Sequence, residues 1–197
     1  MLLKQTPSQT IGPFFSYGLT PEQSVYNKLS SLTSSCLVTK STIGERIRIE
    51  GTIFDGAGDI VSDAMVEIWQ ADSQGRYPNQ LGSEEVNSSF LSFGRCDTGV
   101  DAQNKFVFET VKPGPINSKT SPHINLVIFM RGLMSHVFTR IYFPDEIKSN
   151  LLDETLLTIP ANRQETLLAK KLSGKSTSIY EFNIHLQGEK ETVFFDA

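Results

Sequence analysis

In residues 113–125, PGPINSKTSPHIN, His123 precedes Asn125 by two positions. On a strand, residues two apart project from the same face. A second histidine at 125 would aim two imidazoles at one point, a common way to hold iron or zinc. Asn125 offers a neutral amide oxygen instead, a poor ligand for those ions. The segment has the frame of a metal site without its ligands. A catalytic metal needs three or four converging ligands, and the chain holds only three histidines, His123, His136 and His185. If 123–130 and 136–143 form a hairpin, His123 faces Tyr142 and His136 faces Phe129, which puts the two imidazoles about 20 Å apart. His136 and His185 read as ordinary surface or core histidines.

Arg131 ends the apolar run 123–130 beside Gly132. A guanidinium at the end of a rigid strand can clamp a carboxylate in bidentate geometry; the plainer alternative is a solvated turn arginine. Trp69, in VEIWQAD, reads as a core aromatic. The chain has no GxSxG, P-loop or dinucleotide-binding glycine pattern.

The elements that must position these residues are short strands. Ile47, Ile49, Gly51 and Ile53 share one face, with Arg48, Glu50 and Thr52 on the other, and a turn follows at 55–58. Further strands are predicted over 64–70, 105–111, 123–130, 136–143 and 178–187, and helices over 145–152 and 163–171, the latter with Leu167 and Leu168 inward. A short helix and loop are expected over 21–35, and 75–104 reads as a long functional or interface loop. Many short strands with few helices predict an all-β fold, a β-sandwich.

The first residues differ in kind. Residues 5–18 carry two prolines, two glycines and the aromatics Phe14, Phe15 and Tyr17, which predicts an extended arm lying across a surface, its own or another chain's. At 197 residues a single domain is expected, and 18 basic against 22 acidic residues point to no nucleic-acid partner. Cys36 and Cys96 match no zinc or redox spacing and read as reduced thiols. The N-terminus is neither a signal peptide nor a membrane span, and no run approaches ~18 apolar residues. A soluble, cytoplasmic protein is expected.

In order along the chain stand TPSQTIGPFF, VEIWQADSQGRY, FGR, VKPGP, SPHIN, FMRG, TRIYFPDE, ETLLAKK and GEKETVFFD. Together they resemble the intradiol ring-cleaving dioxygenases, from about Thr6 to Asp196. The resemblance implies a β-sandwich of mixed topology. It also implies a division of labour, because some members of the family pair alpha with beta chains. In the beta chain, two tyrosines and two histidines hold iron(III); one tyrosine directly follows PGP and the histidines form HIH. Here those positions hold Ile116 and Asn125, residues 78–90 supply no tyrosine, and only His123 remains.

The likeness is therefore to an alpha-type chain with a vestigial site at His123, Asn125 and Ile116. It implies iron(III) held by a partner beta chain, a small aromatic acid and O2 as substrates, a higher hetero-oligomer, and no activity alone. Gly12, Pro13, Phe14 and Arg131 would line the substrate cavity, with Arg131 facing the carboxylate. Phe14 stands where a tyrosine is usual, so no hydroxyl is offered there. Residues 1–45 would be the arm and short helix contacting the partner, and 46–197 the sandwich. The rival expectations are a non-enzymatic binding or scaffold module of the same fold, and a self-sufficient dioxygenase rebuilt around His123 with Tyr77 or Tyr142.

Overall fold

The period of two builds the strands it predicts. In β1 (Arg46–Phe54) Ile47, Ile49, Gly51 and Ile53 are buried and face inward. β2 (Met65–Gln70), β4 (Lys105–Val111), β5 (His123–Phe129) and β6 (Val137–Tyr142) fall within one residue of the expected runs. The computed structural model describes residues 7–12, 14–23, 30–78, 89–172 and 177–196.

Two sheets result. With β3 (Phe93–Asp97), β7 (Lys170–Leu172), β8 (Ser178–Glu181) and β9 (Ile184–His185), the first sheet runs β4-β1-β8-β7, with β9 also on β1, and the second runs β3-β2-β5-β6. β1 pairs antiparallel with β4 but parallel with β8 and β9, which is the mixed topology expected. Ile47, Ile49, Phe106 and Phe108 from the first sheet meet Val66, Ile68, Leu126 and Ile128 from the second in one buried core. Burial of this apolar surface is the main stabilising contribution. Leu37, fully buried, joins it from the segment before β1.

Four expectations need correction. Residues 178–187 are not one strand: β8 and β9 keep the same offset against β1, but the ladder breaks at Phe182 and Asn183. The Phe182 carbonyl crowds β1 so closely that a Cβ on Gly51 would stand 1.8 Å from its oxygen. Only glycine fits there. The Phe182 amide donates to the Glu50 carbonyl at 2.8 Å, and the Asn183 side-chain oxygen accepts from Thr52 N at 3.0 Å, so the break leaves these groups satisfied.

Second, residues 163–171 are not one helix. A helix, Ala161–Gln164, tightens into a 3-10 turn at Glu165–Leu167 and stops, and Lys170–Leu172 is an edge strand. Ala169 N donates to the Tyr142 carbonyl at 2.9 Å, and pairing with β8 overrides helical propensity. Leu167 is buried as expected, but Leu168 is 37% exposed.

Third, the long segment 75–104 contains β3, whose FGRCD has no alternation to reveal it; residues 79–88 lie outside the described ones. Fourth, Trp69 is not core. It points to the outer face of the second sheet, 38% exposed, and stacks on Tyr77 at 5.7 Å.

The expected helix over 145–152 is one turn, Ile147–Asn150, and a further turn, Glu154–Leu157, is capped by the Asp153 carboxylate, which accepts from Leu156 N. The short helix expected after residue 21 is a 3-10 turn, Pro21–Gln23, and residues 24–29 lie outside the described ones. Cys36 and Cys96 are both unpaired thiols. Among the described residues no helix is long and apolar enough to cross a membrane.

Candidate functional site

β5 carries candidate residues at both of its ends, and alternation decides which way they face. Ile124, Leu126 and Ile128 are fully buried between the sheets, so His123 and Asn125 project from the outer face. The hairpin register is the one predicted: His123 pairs with Tyr142, and Asn125 pairs with Arg140. Trp69, opposite Asn125 on β2, completes the row.

At the N-terminal end this face is closed. His123 is 5% exposed, and its Nδ1 lies 2.8 Å from the Ser121 carbonyl, which can only accept, so Nδ1 carries the proton. Burial, with the Arg140 charge adding to it, holds the imidazole below its ordinary value, so it is neutral at pH 7. Asp153, almost fully buried, accepts from Ser121 N at 2.7 Å, Leu156 N at 2.8 Å and the Tyr142 hydroxyl at 3.1 Å. One carboxylate thus ties the SPHIN segment to the capped turn above it.

Asn125 works in both directions. Its amide nitrogen donates to the Trp69 carbonyl at 3.3 Å and the Tyr77 hydroxyl at 3.4 Å, while its oxygen accepts from Arg140 Nε at 3.0 Å. Arg140 Nη1 also donates to Thr155 Oγ1 at 3.0 Å and the Tyr142 hydroxyl at 3.5 Å, and its guanidinium lies 5.6 Å from the Phe195 ring centre. Burial pushes the Tyr142 phenol up to about 12 and raises that of Tyr77, so both stay protonated.

Two interlocked loops hold Tyr77 beside this face and set Ile116 next to Gly75. The Asp72 carbonyl accepts from Gly75 N at 3.0 Å and Gly114 N at 2.9 Å. Gly75 has φ +79°, and a Cβ on it would lie 2.0 Å from the Pro115 carbonyl oxygen. A side chain at 75 would force the PGP loop away.

The C-terminal end of β5 is open. Arg131 sits in the turn after the strand with its side chain 58% exposed, in an ion pair with Asp63. The arm lies on this end of its own chain. Thr10 Oγ1 accepts from Gly132 N at 2.8 Å, and Phe15 packs on Phe129 with ring centres 5.7 Å apart. Between arm and hairpin lies a cleft of about 280 Å³, lined by Ser8, Ile11 and Phe15 on one side and Phe129, Met134 and His136 on the other. Gly12 closes the turn at the arm's bend, accepting from Phe15 N at 3.1 Å. Phe14 is 73% exposed, its ring edge-on to Tyr17 at 5.6 Å. Pro13 lies outside the described residues. The structure thus brings the arm to the Arg131 turn, while the guanidinium itself turns aside to Asp63.

His136 lies tilted against Phe129, at 5.2 Å, and His185 lies flat on Phe54 in the other sheet, at 4.8 Å. Neither joins His123.

Residues 24–188 match the family described as Dioxygenase_C, Dioxygenase. The chain is 47% identical over 196 residues to the protocatechuate 3,4-dioxygenase alpha chain of Burkholderia cepacia, covering 99% of this chain and 98% of that one. This chain belongs to the intradiol ring-cleavage dioxygenases. The beta chain of the Burkholderia cepacia enzyme is 30% identical, over 82% of this chain and 72% of its own length. In fold, an intradiol ring-cleavage dioxygenase from Tetranychus urticae superimposes with a TM-score of 0.62 at 18% identity, over 79% of this chain and 87% of that one.

The family works with iron(III), and the residues around His123 do not fit such an ion. The polar groups on this face are the Asn125 amide, the Arg140 guanidinium and the protonated phenols of Tyr77 and Tyr142, and the Asp153 carboxylate is taken up by Ser121, Leu156 and Tyr142. Among the described residues no group of three or more His, Cys, Asp or Glu side chains is placed to hold a metal. The residues sequence reasoning missed are Arg140 and Asp153. The hairpin register that set His123 against Tyr142 also sets Asn125 against Arg140, so one of the two was within reach.

Proposed function

We propose that this chain is the alpha-type subunit of a protocatechuate 3,4-dioxygenase. Its beta-type partner holds iron(III), and the assembly cleaves protocatechuate with O2 between the two hydroxyl-bearing carbons, giving 3-carboxy-cis,cis-muconate. The observation that carries this reading is the 47% identity to an alpha chain over nearly the full length of both. The amide and guanidinium beside His123 agree with it, since a chain built this way leaves the metal chemistry to a partner.

In this reading the open end of β5 is this chain's contribution to catalysis. Gly12, Pro13, Phe14 and Arg131 border the substrate cavity, and Arg131 meets the carboxylate of protocatechuate. Its exposed pair with Asp63 is of a kind worth at most about 1 kcal/mol, so a substrate carboxylate can displace it. A bidentate guanidinium–carboxylate contact fixes the ring's orientation as well as its affinity. Phe14 supplies shape and no hydroxyl. Its exposure suits an arm that closes against a second chain.

Co-expression with and without a beta-type chain tests the reading. Tyrosinate-to-iron(III) absorption and protocatechuate-dependent oxygen uptake are expected in the co-purified assembly and absent from the chain alone. Colour in the lone chain would revive the rebuilt-site alternative. Failure to co-purify with any beta-type chain would leave only a scaffold that kept the fold.

A further inference from the structure

Arg140 stands on β6, on the same outer face as Asn125 and Tyr142. It is half-buried, and among the described residues no carboxylate pairs with it. Its donors go instead to neutral oxygens: the Asn125 amide at 3.0 Å, Thr155 at 3.0 Å and the Tyr142 hydroxyl at 3.5 Å. By register it stands directly across from Asn125, the position that the family's metal-holding chains give to a histidine.

We infer that Arg140 is a built-in cation at the family's metal position, and that it keeps metal out even where ligands are restored. The chemistry of the pair explains why an amide faces the guanidinium. A fork of N–H donors needs an acceptor opposite it, and the Asn125 oxygen provides one. The same amide turns its two hydrogens to Trp69 and Tyr77, so every polar atom is used. A neutral histidine at 125 would offer a single ring nitrogen, and one taken up by the guanidinium is not free for a metal. A divalent or trivalent ion at this point meets a fixed positive charge in a partly desolvated place. Without the guanidinium, the Asn125, Thr155 and Tyr142 oxygens lose a donor, at the cost of their desolvation. The inference concerns this chain's own residues and holds whether or not the chain works beside a partner.

The test restores ligands in two backgrounds of the full chain, co-expressed with a beta-type chain if it needs one to stay in solution. Ile116→Tyr with Asn125→His is made with Arg140 kept and with Arg140→Gln. Cobalt(II) is titrated in, and metal equivalents and visible absorption are counted over the parent protein. With Arg140 kept, uptake is expected to equal the parent's. With Arg140→Gln, one further equivalent is expected, bound at least ~100-fold more tightly. Equal uptake in the two backgrounds, including none in either, would overturn the inference.

A second measurement does not depend on those variants folding. Asn125→Asp places a carboxylate against the guanidinium, so the thermal midpoint is expected to hold or rise with Arg140 present and to fall in the Arg140→Gln background. Trp69, the chain's only tryptophan, reports local folding by its fluorescence. The same fall in both backgrounds would show that Arg140 does not set the charge of this site.

Discussion

The two ends of β5 carry one arginine each, at Arg131 and opposite Asn125 at Arg140, and the surroundings give them opposite tasks. Arg131 is mostly exposed, paired with a carboxylate, and reached by an arm that packs through Phe15 and a single Thr10 contact. Arg140 is half-buried and spends its donors on three neutral oxygens under a capped turn. A cation that already has its partners inside the fold is structural. One whose partner is a surface carboxylate can exchange it for a ligand. In the proposed function, Arg131 supplies a charged wall for an aromatic acid, and Arg140 stands where a metal would otherwise be held.

The largest effect that sharpens the contrast is expected at the closed end. Asp153→Ala removes three bonds to a buried carboxylate and the cap of Glu154–Leu157. Urea denaturation should show a loss of about 3–4 kcal/mol. Next comes the open end. Arg131→Ala in the assembled enzyme should cost about 2 kcal/mol in kcat/KM, roughly 30-fold and mostly through KM, while stability moves by less than ~1 kcal/mol. If Arg131→Ala instead unfolds the chain and spares KM, the two arginines have been assigned the wrong way round.

A third prediction lies away from both ends. Asp145 accepts from Lys171 at 2.9 Å, Lys112 at 3.1 Å and the Tyr180 hydroxyl at 2.9 Å. Burial opposes its ionisation, but these partners hold the carboxyl down to about 2, against an ordinary 3.8. Its stabilisation is complete above 3.8 and disappears as pH falls through about 2. Asp145→Ala should cost about 1–2 kcal/mol at neutral pH and flatten the acid limb of a stability-against-pH curve, without changing substrate binding. The smallest effect is Thr10→Val. It should speed hydrogen exchange at the Gly132 amide and loosen the arm by about 1 kcal/mol.

Much of this was legible from local pattern. The alternation of Ile47, Ile49 and Ile53 gave β1, and the hairpin register followed from two apolar runs and a short turn. What failed depended on partners distant in sequence. FGRCD is a strand because β2 pairs with it, and Lys170–Leu172 is a strand because β8 does. Trp69 looked like core because aromatic residues on strands usually are; Ile68 and Gln70 take the inward face and leave it outside with Tyr77. Within the site, the spacing of His123 and Asn125 on a strand placed both on one face, as the register does. Nothing local announced the Arg131 pair with Asp63, which closes across 68 residues, or the Asp153 cap reaching back to Ser121.

The central claim, that this chain lends a charged wall and no metal, is tested most directly by counting iron in the co-purified assembly. Elemental analysis is paired with the KM for protocatechuate, for the parent and for Arg131→Ala. The account predicts one iron per alpha–beta pair in both proteins, with KM raised roughly 30-fold by the substitution. Two irons per pair, or an unchanged KM, would contradict it.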